Sequence, residues 1–495
     1  MPHRGGALSV KAARRGGVAP APFHAPRGGG LRCVRNRAPG GGGVVPADPQ
    51  AQAPFTRRRR RTPAGPAHPA AAARRAGPAA PRGGHVGAGR RVTTAPAEEG
   101  AQARLLARVA DFLGRPVPGE WALALRAVPR HRFLPDRVWL RDGRGGHAPC
   151  DRAREPERWW EAAYADAPVV TRLAREPDGG TYPLSSASAP GTVVAMLEAL
   201  DVRAGDRVLE IGTGTGWNAA LLAARVGDGG VVTVEVDAEV ADGARAALAG
   251  AGRTPRVVTG DGAEGWPAGA PYQRVVATCS VRGVPPAWLD QLASPGRLVA
   301  PWDSAWCSYG TLVVETDAHG AATGRWNPGG SYMPLRRAEP GANAGAPVPD
   351  PVPGAAAEVE ETEGARPEST ALSPWAVAGE DYQAQFVIGL LAPGVWHAWE
   401  TGERRPGVHA RLWVRAEGDA STALVEVGAV GGRTTVRQRG PRRLWDEVSA
   451  AWHWWLAAGS PDMTRFGYSR DPAGGGSRLW LDAPERPLPS GSVRP

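Results

Sequence analysis

Between Asp201 and Pro301 the chain alternates short apolar runs with amphipathic ones, and this alternation restricts the fold more than any other feature. The runs Arg207–Ile211, Val231–Val236, Pro255–Thr259, Gln273–Thr278 and Gly296–Pro301 read as strands bounded by glycine, proline and polar residues. Trp217–Val226 and Ala238–Ala251 carry a helical period between them. Near-continuous apolar strands are buried on both faces. The segment therefore predicts an α/β fold, a doubly wound and mostly parallel sheet of Rossmann-like type with its ligand at the carboxyl ends of the strands.

The first strand runs into Glu210-Ile211-Gly212-Thr213-Gly214-Thr215-Gly216-Trp217. A dinucleotide loop, G-x-G-x-x-G, has its third glycine where Trp217 stands, because helix, strand and pyrophosphate crowd together there. The spacing G-x-G-x-G after Glu210 is instead the pattern of a loop that receives S-adenosyl-L-methionine. An acidic residue about 20 positions on commonly holds the ribose hydroxyls in such sheets. Glu235 fills that place, with Asp237 as a second candidate. After the third strand comes Gly260-Asp261-Gly262, a carboxylate and flexible amides suited to an adenine edge.

Around this sheet the pattern changes. Leu105, Leu106, Val109, Phe112 and Leu113 predict a helix from about Ala103, and a second short one covers Glu120–Ala127. The polar stretch Arg141–Arg158 reads as an inserted loop. Beyond Pro301, strands are expected at Gly310–Thr316 and Ser331–Leu335. Residues 339–370 form a Pro/Ala/Glu-rich connector, and a separate α+β unit follows over 371–485. Its one long helix, Pro441–Ala458, places Trp445, Val448, Trp452, Trp455 and Leu456 on one face. Nine of the chain's 19 tryptophans lie between Trp375 and Trp480, and at helical spacing such residues belong to a core rather than to a peptide groove.

Residues 1–100 hold 18 of the 59 basic and 3 of the 49 acidic side chains, so the other 395 residues carry 41 basic against 46 acidic. The basic character of the chain is thus a property of its first hundred residues. That segment is rich in Arg, Gly, Pro and Ala, contains the run Arg57–Arg61, and has too little aliphatic content to fold alone. Its arginines would suit phosphates. The composition, with Lys11 the chain's single lysine, equally suits a GC-rich reading frame whose native start lies near Val92. Cys33, Cys150, Cys279 and Cys307 show no metal-ligand spacing, no apolar stretch reaches the roughly 20 residues that span a bilayer, and a reduced, cytoplasmic setting is expected. No metal and no membrane are expected.

From Tyr164 to about Leu335 the sequence resembles the protein-L-isoaspartate O-methyltransferase family. The carrying residues are Tyr164-Ala165-Asp166-Ala167-Pro168, Ser186-Ala187-Ser188-Ala189-Pro190, the glycine loop, Gly260 through Pro267, Leu289-Asp290-Gln291-Leu292, Gly296 through Pro301, and Tyr332-Met333-Pro334-Leu335. The resemblance implies that Ser188 is the active-site serine that contacts a substrate carboxylate. It also implies that Glu210, Gly212, Gly214, Gly216, Glu235, Asp261 and Gly262 surround S-adenosyl-L-methionine. Without it, Ser188 reads as an N-cap for the helix Thr192–Leu200.

The sequence departs from the family pattern on the substrate side. Ser186-Ala187 stands in place of Thr-Ile, Thr278-Cys279-Ser280 in place of small alanines, and Thr171–Thr181 is longer and more charged than the usual link. Three functions compete: methylation of L-isoaspartyl residues of proteins or peptides, leading to repair through a succinimide; methylation of an aspartate in a ribosomally made, constrained peptide to give aspartimide or isoaspartate, as in actinobacterial members with extra C-terminal domains; and nucleic-acid binding by the basic tail. The last is disfavoured as an enzymatic reading, since no Asn/Asp-Pro-Pro-aromatic element follows the fourth strand.

Overall fold

The computed structural model describes residues 95–143, 146–175, 180–337, 362–401, 407–428, 433–471 and 476–489. The basic tail up to residue 94, the proposed start near Val92, Cys33 and most of the connector lie outside the described residues.

The predicted parallel strands are present as β5 (Val208–Ile211), β6 (Val231–Glu235), β7 (Arg256–Thr259), β8 (Tyr272–Ala277) and β9 (Leu292–Pro301). Pairings β5/β6, β5/β8, β6/β7 and β8/β9 are all parallel, which gives the order β9-β8-β5-β6-β7. The order reverses beside β5, and such a switch point opens a crevice at the strands' carboxyl ends. Helices α4 (Pro190–Leu200) and α5 (Trp217–Val226) share one buried cluster with α1 (Ala95–Leu113), through Leu105, Val109, Leu197, Leu200, Leu221 and Leu222. The helix α6 (Ala238–Gly250) adds Leu248 to it.

Beyond β9 the sheet turns antiparallel. Strands β10 (Thr311–Thr316) and β11 (Ala322–Asn327) continue it, and the C-terminal strands complete nine, with β17 (Phe466–Arg470) pairing on β11 and β18 (Arg478–Leu481) on β17. The C-terminal segment therefore shares a core with the parallel sheet: Leu312, Val314 and Trp326 are buried in one cluster with Phe386, Trp455, Phe466 and Leu481. Edge-on rings tie it together, Trp302 to Trp326 at 5.2 Å and Trp326 to Phe386 at 5.6 Å.

The same segment builds a five-stranded antiparallel sheet, β12 (Glu368–Ser369), β13 (Val395–Thr401), β14 (Val408–Ala416), β15 (Thr422–Gly428) and β16 (Thr434–Arg439), in the order β12-β16-β15-β14-β13. Leu412, Val414, Val425 and Val436 pack against Trp445 and Val448 of the helix Leu444–Ala457. Trp445 and Trp455 are buried as its periodicity predicts, whereas Leu456 is 45% exposed. Arg282, just past β8, joins the two sheets: Nη1 donates to both oxygens of Glu417, at 2.7 and 2.6 Å, and Nε to Asp303 at 3.1 Å.

A third sheet overturns the expectation of an irregular loop over Arg141–Arg158. Strands β1 (Arg137–Arg141) and β2 (His147–Asp151) form a hairpin, followed by a helix at Pro156–Ala163. The charged link after Thr171 belongs to a second hairpin, β3 (Val169–Arg175) with β4 (Thr181–Ala187). The order β2-β1-β3-β4 brings β4 to an edge and delivers the chain directly to Ser188.

Candidate active site

A cleft open to solvent lies at the switch point. Its floor is the glycine loop. Gly212, Gly214 and Gly216 have φ of 91°, 54° and 83°, values L side chains seldom adopt, and Gly216 serves as the N-cap of α5. The loop is pinned from outside: Gly212 N donates to Val234 O at 2.8 Å, and the Thr278 hydroxyl to the carbonyl of Gly212. A Cβ at Gly212 would lie 2.8 Å from Thr278 Oγ1.

Five of the eight sequence-predicted residues line this cleft: Ser188, Gly212, Gly214, Glu235 and Gly262. Glu235 ends β6 and is 6% exposed; its Oε2 accepts from Gly214 N at 2.9 Å. The other three, Glu210, Gly216 and Asp261, are not among its lining residues. Asp261 caps a short 3-10 turn through Ala263 N at 2.9 Å and accepts from Arg337 Nε at 2.9 Å. Asp237, the second ribose candidate, is occupied as the N-cap of α6 and as the bidentate partner of Arg172 Nη1, with both contacts at 2.9 Å.

Glu210 has no exposed surface, and its side chain reaches the cleft only through Asn218, whose Nδ2 donates to Oε1 at 2.7 Å. Its other oxygen is buried without a hydrogen-bond partner. Burial pushes the carboxyl up to about 7, against the hydrogen bonds of Thr233 and Asn218, while Glu235 pushes the same way as burial. A folded-state value above the unfolded one favours the protonated fold, so this group's contribution is present at low pH and lost as pH rises through about 7. Glu210→Gln should accordingly melt higher than the parent chain at pH 8, with the gap shrinking towards pH 5. Thermal unfolding of both proteins across that range checks this, and parallel profiles would refute it.

Ser188 is not the helix cap expected from sequence. Ala189 occupies that position with no side-chain bond, and the α4 amide of Gly191 is met instead by Asp166 Oδ1 at 2.7 Å. The Ser188 hydroxyl is thereby left to the cleft, near the side chain of Tyr332. Burial holds the Tyr332 phenol well above its ordinary range, so it remains a neutral donor.

Tyr332 belongs to a strap that the sequence suggested as a strand. It makes a single bridge, Ser280 to Pro334, with Ser280 N donating to Met333 O and Leu335 N to Ser280 O, both at 2.9 Å. Met333, Pro334, Leu335 and Arg336 close one side of the cleft. Sequence reasoning also passed over Arg130. It has no exposed surface, and its guanidinium donates to the carbonyls of Ala163, Ala165, Ala167, Ala187 and Ser188 at 2.9 to 3.3 Å. Among the described residues no group of three or more His, Cys, Asp or Glu is placed to hold a metal ion, and no helix is long and apolar enough to cross a membrane.

A glycine loop at the switch point, an acidic side chain closing the neighbouring strand and a serine lining the same cleft are the features of a Rossmann-like methyltransferase. The chain belongs to the protein-L-isoaspartate(D-aspartate) O-methyltransferase family, whose profile matches residues 151–337. It is 35% identical over 238 residues to the protein-L-isoaspartate O-methyltransferase of Methanopyrus kandleri, covering 48% of this chain and 91% of that one. Against protein-L-isoaspartate O-methyltransferase 2 of Archaeoglobus fulgidus it is 33% identical over 217 residues, covering 43% and 83%. The Methanoculleus marisnigri enzyme of the same name is 40% identical over 179 residues, covering 36% and 66%. A solved protein-L-isoaspartate O-methyltransferase superposes with a TM-score of 0.42 at 18% identity, covering 77% of this chain and all of that one. Another, from Plasmodium falciparum with S-adenosyl-L-homocysteine, gives 0.34 at 14% identity, covering 48% and 98%.

Proposed function

We propose that this chain is an S-adenosyl-L-methionine-dependent carboxyl O-methyltransferase acting on L-isoaspartyl residues of proteins or peptides, with repair following through a succinimide. One observation carries the reading: every residue lining the cleft falls within 151–337, the stretch matched by the family.

The residues present fit such a donor. A Cβ at Gly214 would stand in nearly open space, so the loop backbone is accessible there, and Glu235 offers acceptors for ribose hydroxyls in the same cleft as Gly262. When bound, S-adenosyl-L-methionine supplies a sulfonium methyl group open to in-line displacement. The substrate carboxylate is already ionised near neutral pH, with a reference pKa of about 4, so no general base is needed. The chain's task is placement. Ser188 orients the carboxylate, while Arg130 fixes the Ser188 backbone. Alignment of this kind contributes on the order of 7 kcal/mol at best.

Ser188→Ala should lower methyl transfer to an isoaspartyl peptide by about 10- to 100-fold, the scale of one transition-state hydrogen bond, while donor affinity stays within about twofold. Labelled-methyl transfer and calorimetric binding of S-adenosyl-L-homocysteine separate the two effects. Unchanged transfer would remove Ser188 from the site.

A further inference from the structure

We propose that Arg336 is a specificity-determining residue that receives a second carboxylate of the substrate peptide, one beside the carboxylate that takes the methyl group; this rests on the isoaspartyl reading above. Arg336 is the basic side chain in the lining of the cleft, on the strap next to Met333, Pro334 and Leu335. Three arginines approach the acidic rim, and they are used differently. Arg172 is saturated by Asp237 and Glu239, and Arg337 is bound to Asp261. Arg336 has, among the described residues, only an ion pair with Glu235 at 3.9 Å, longer than a hydrogen bond, and its side chain is 30% exposed. Glu235 does not depend on it, since its two oxygens already accept from Gly214 N and Asp237 N.

The strap that carries Arg336 is anchored before any ligand arrives, since Leu335 N is bonded to Ser280 O at 2.9 Å. A planar guanidinium recognises carboxylates bidentately. Used on the reacting carboxylate, it would engage the lone pairs that must attack the methyl group. Ser188 makes a weaker, neutral contact suited to that oxygen. A neighbouring carboxylate is the partner Arg336 fits, and it also offsets the repulsion Glu235 exerts on an acidic peptide.

The full chain and its Arg336→Gln variant should be assayed by labelled-methyl transfer on three isoaspartyl peptides, identical except for Glu, Gln or Lys beside the isoaspartate. The expected result is a kcat/KM about tenfold higher for the Glu than for the Gln peptide in the parent chain, weakening with added salt, and a ratio near one in the variant. A loss spread equally over the three peptides, or one confined to S-adenosyl-L-homocysteine affinity, would overturn the assignment. If no peptide is methylated while the donor analogue still binds, the isoaspartyl reading has failed. Anisotropy titration of the fluorescently labelled Glu and Gln peptides then decides on Arg336 alone. A Glu preference erased in the variant supports it, and equal affinities for the parent chain overturn it.

Discussion

Arg130→Ala is expected to lower the unfolding free energy by about 3–5 kcal/mol, the largest stability effect of any single substitution near the site. Five backbone carbonyls from three segments converge on this one guanidinium: the end of the helix preceding Tyr164, the Ala165–Ala167 loop, and the Ala187-Ser188 turn. Burial lowers the Arg130 pKa to about 10 while Asp166 supports it, so the group stays charged at neutral pH. Alanine would leave those carbonyls in a space with no exposed surface. Arg130→Lys keeps the charge, but three donors on a point charge cannot reach five acceptors, and an intermediate loss is expected. Denaturant titration gives the value; a change under 1 kcal/mol for the alanine variant would show that the carbonyls find other partners.

Gly212→Val should abolish measurable donor binding, a loss of at least about 100-fold. Two effects combine: a β-branched residue at φ 91° is strained by about 1–3 kcal/mol, and its Cβ would press on the Thr278 hydroxyl that anchors the loop. Gly205→Ala isolates the first effect, since Gly205 has φ 84° but nothing within 4 Å of an added Cβ. It should cost about 1 kcal/mol of stability and leave S-adenosyl-L-homocysteine affinity intact. Equal binding by the Gly212 variant would mean that the loop is not the donor floor.

The parallel sheet was legible because a strand buried on both faces needs nearly continuous apolar sequence, which Val208, Leu209, Ile211, Val231, Val232 and Val234 supply. The two hairpins ahead of it were not. In β2, His147-Ala148-Pro149-Cys150-Asp151 buries only Cys150, and half-covered strands of this kind carry no period distinct from loop. Ser331–Leu335 has the residue types of a strand, yet tertiary contacts with Ser280 make it a strap.

Within the site, Gly212, Gly214, Glu235 and Gly262 could be placed at the cleft from sequence because spacing along the chain carries them to the carboxyl ends of the strands. Arg130 could not, because its burial is created by residues 33 to 58 positions away. Glu210 was found by spacing but misplaced by it: the side chain at a strand's end is buried or open according to what packs over it, here Asn218 and Thr233. The Ser188 cap failed for a similar reason, since Asp166 arrives from 25 residues upstream to meet the Gly191 amide.

The most direct test of the account is methyl transfer from labelled S-adenosyl-L-methionine to an isoaspartyl peptide and to its aspartyl twin, with the full chain as enzyme. The account predicts labelling of the isoaspartyl peptide at least tenfold faster than of its twin. Silence on both peptides with donor binding intact, or preference for the aspartyl form, would contradict it.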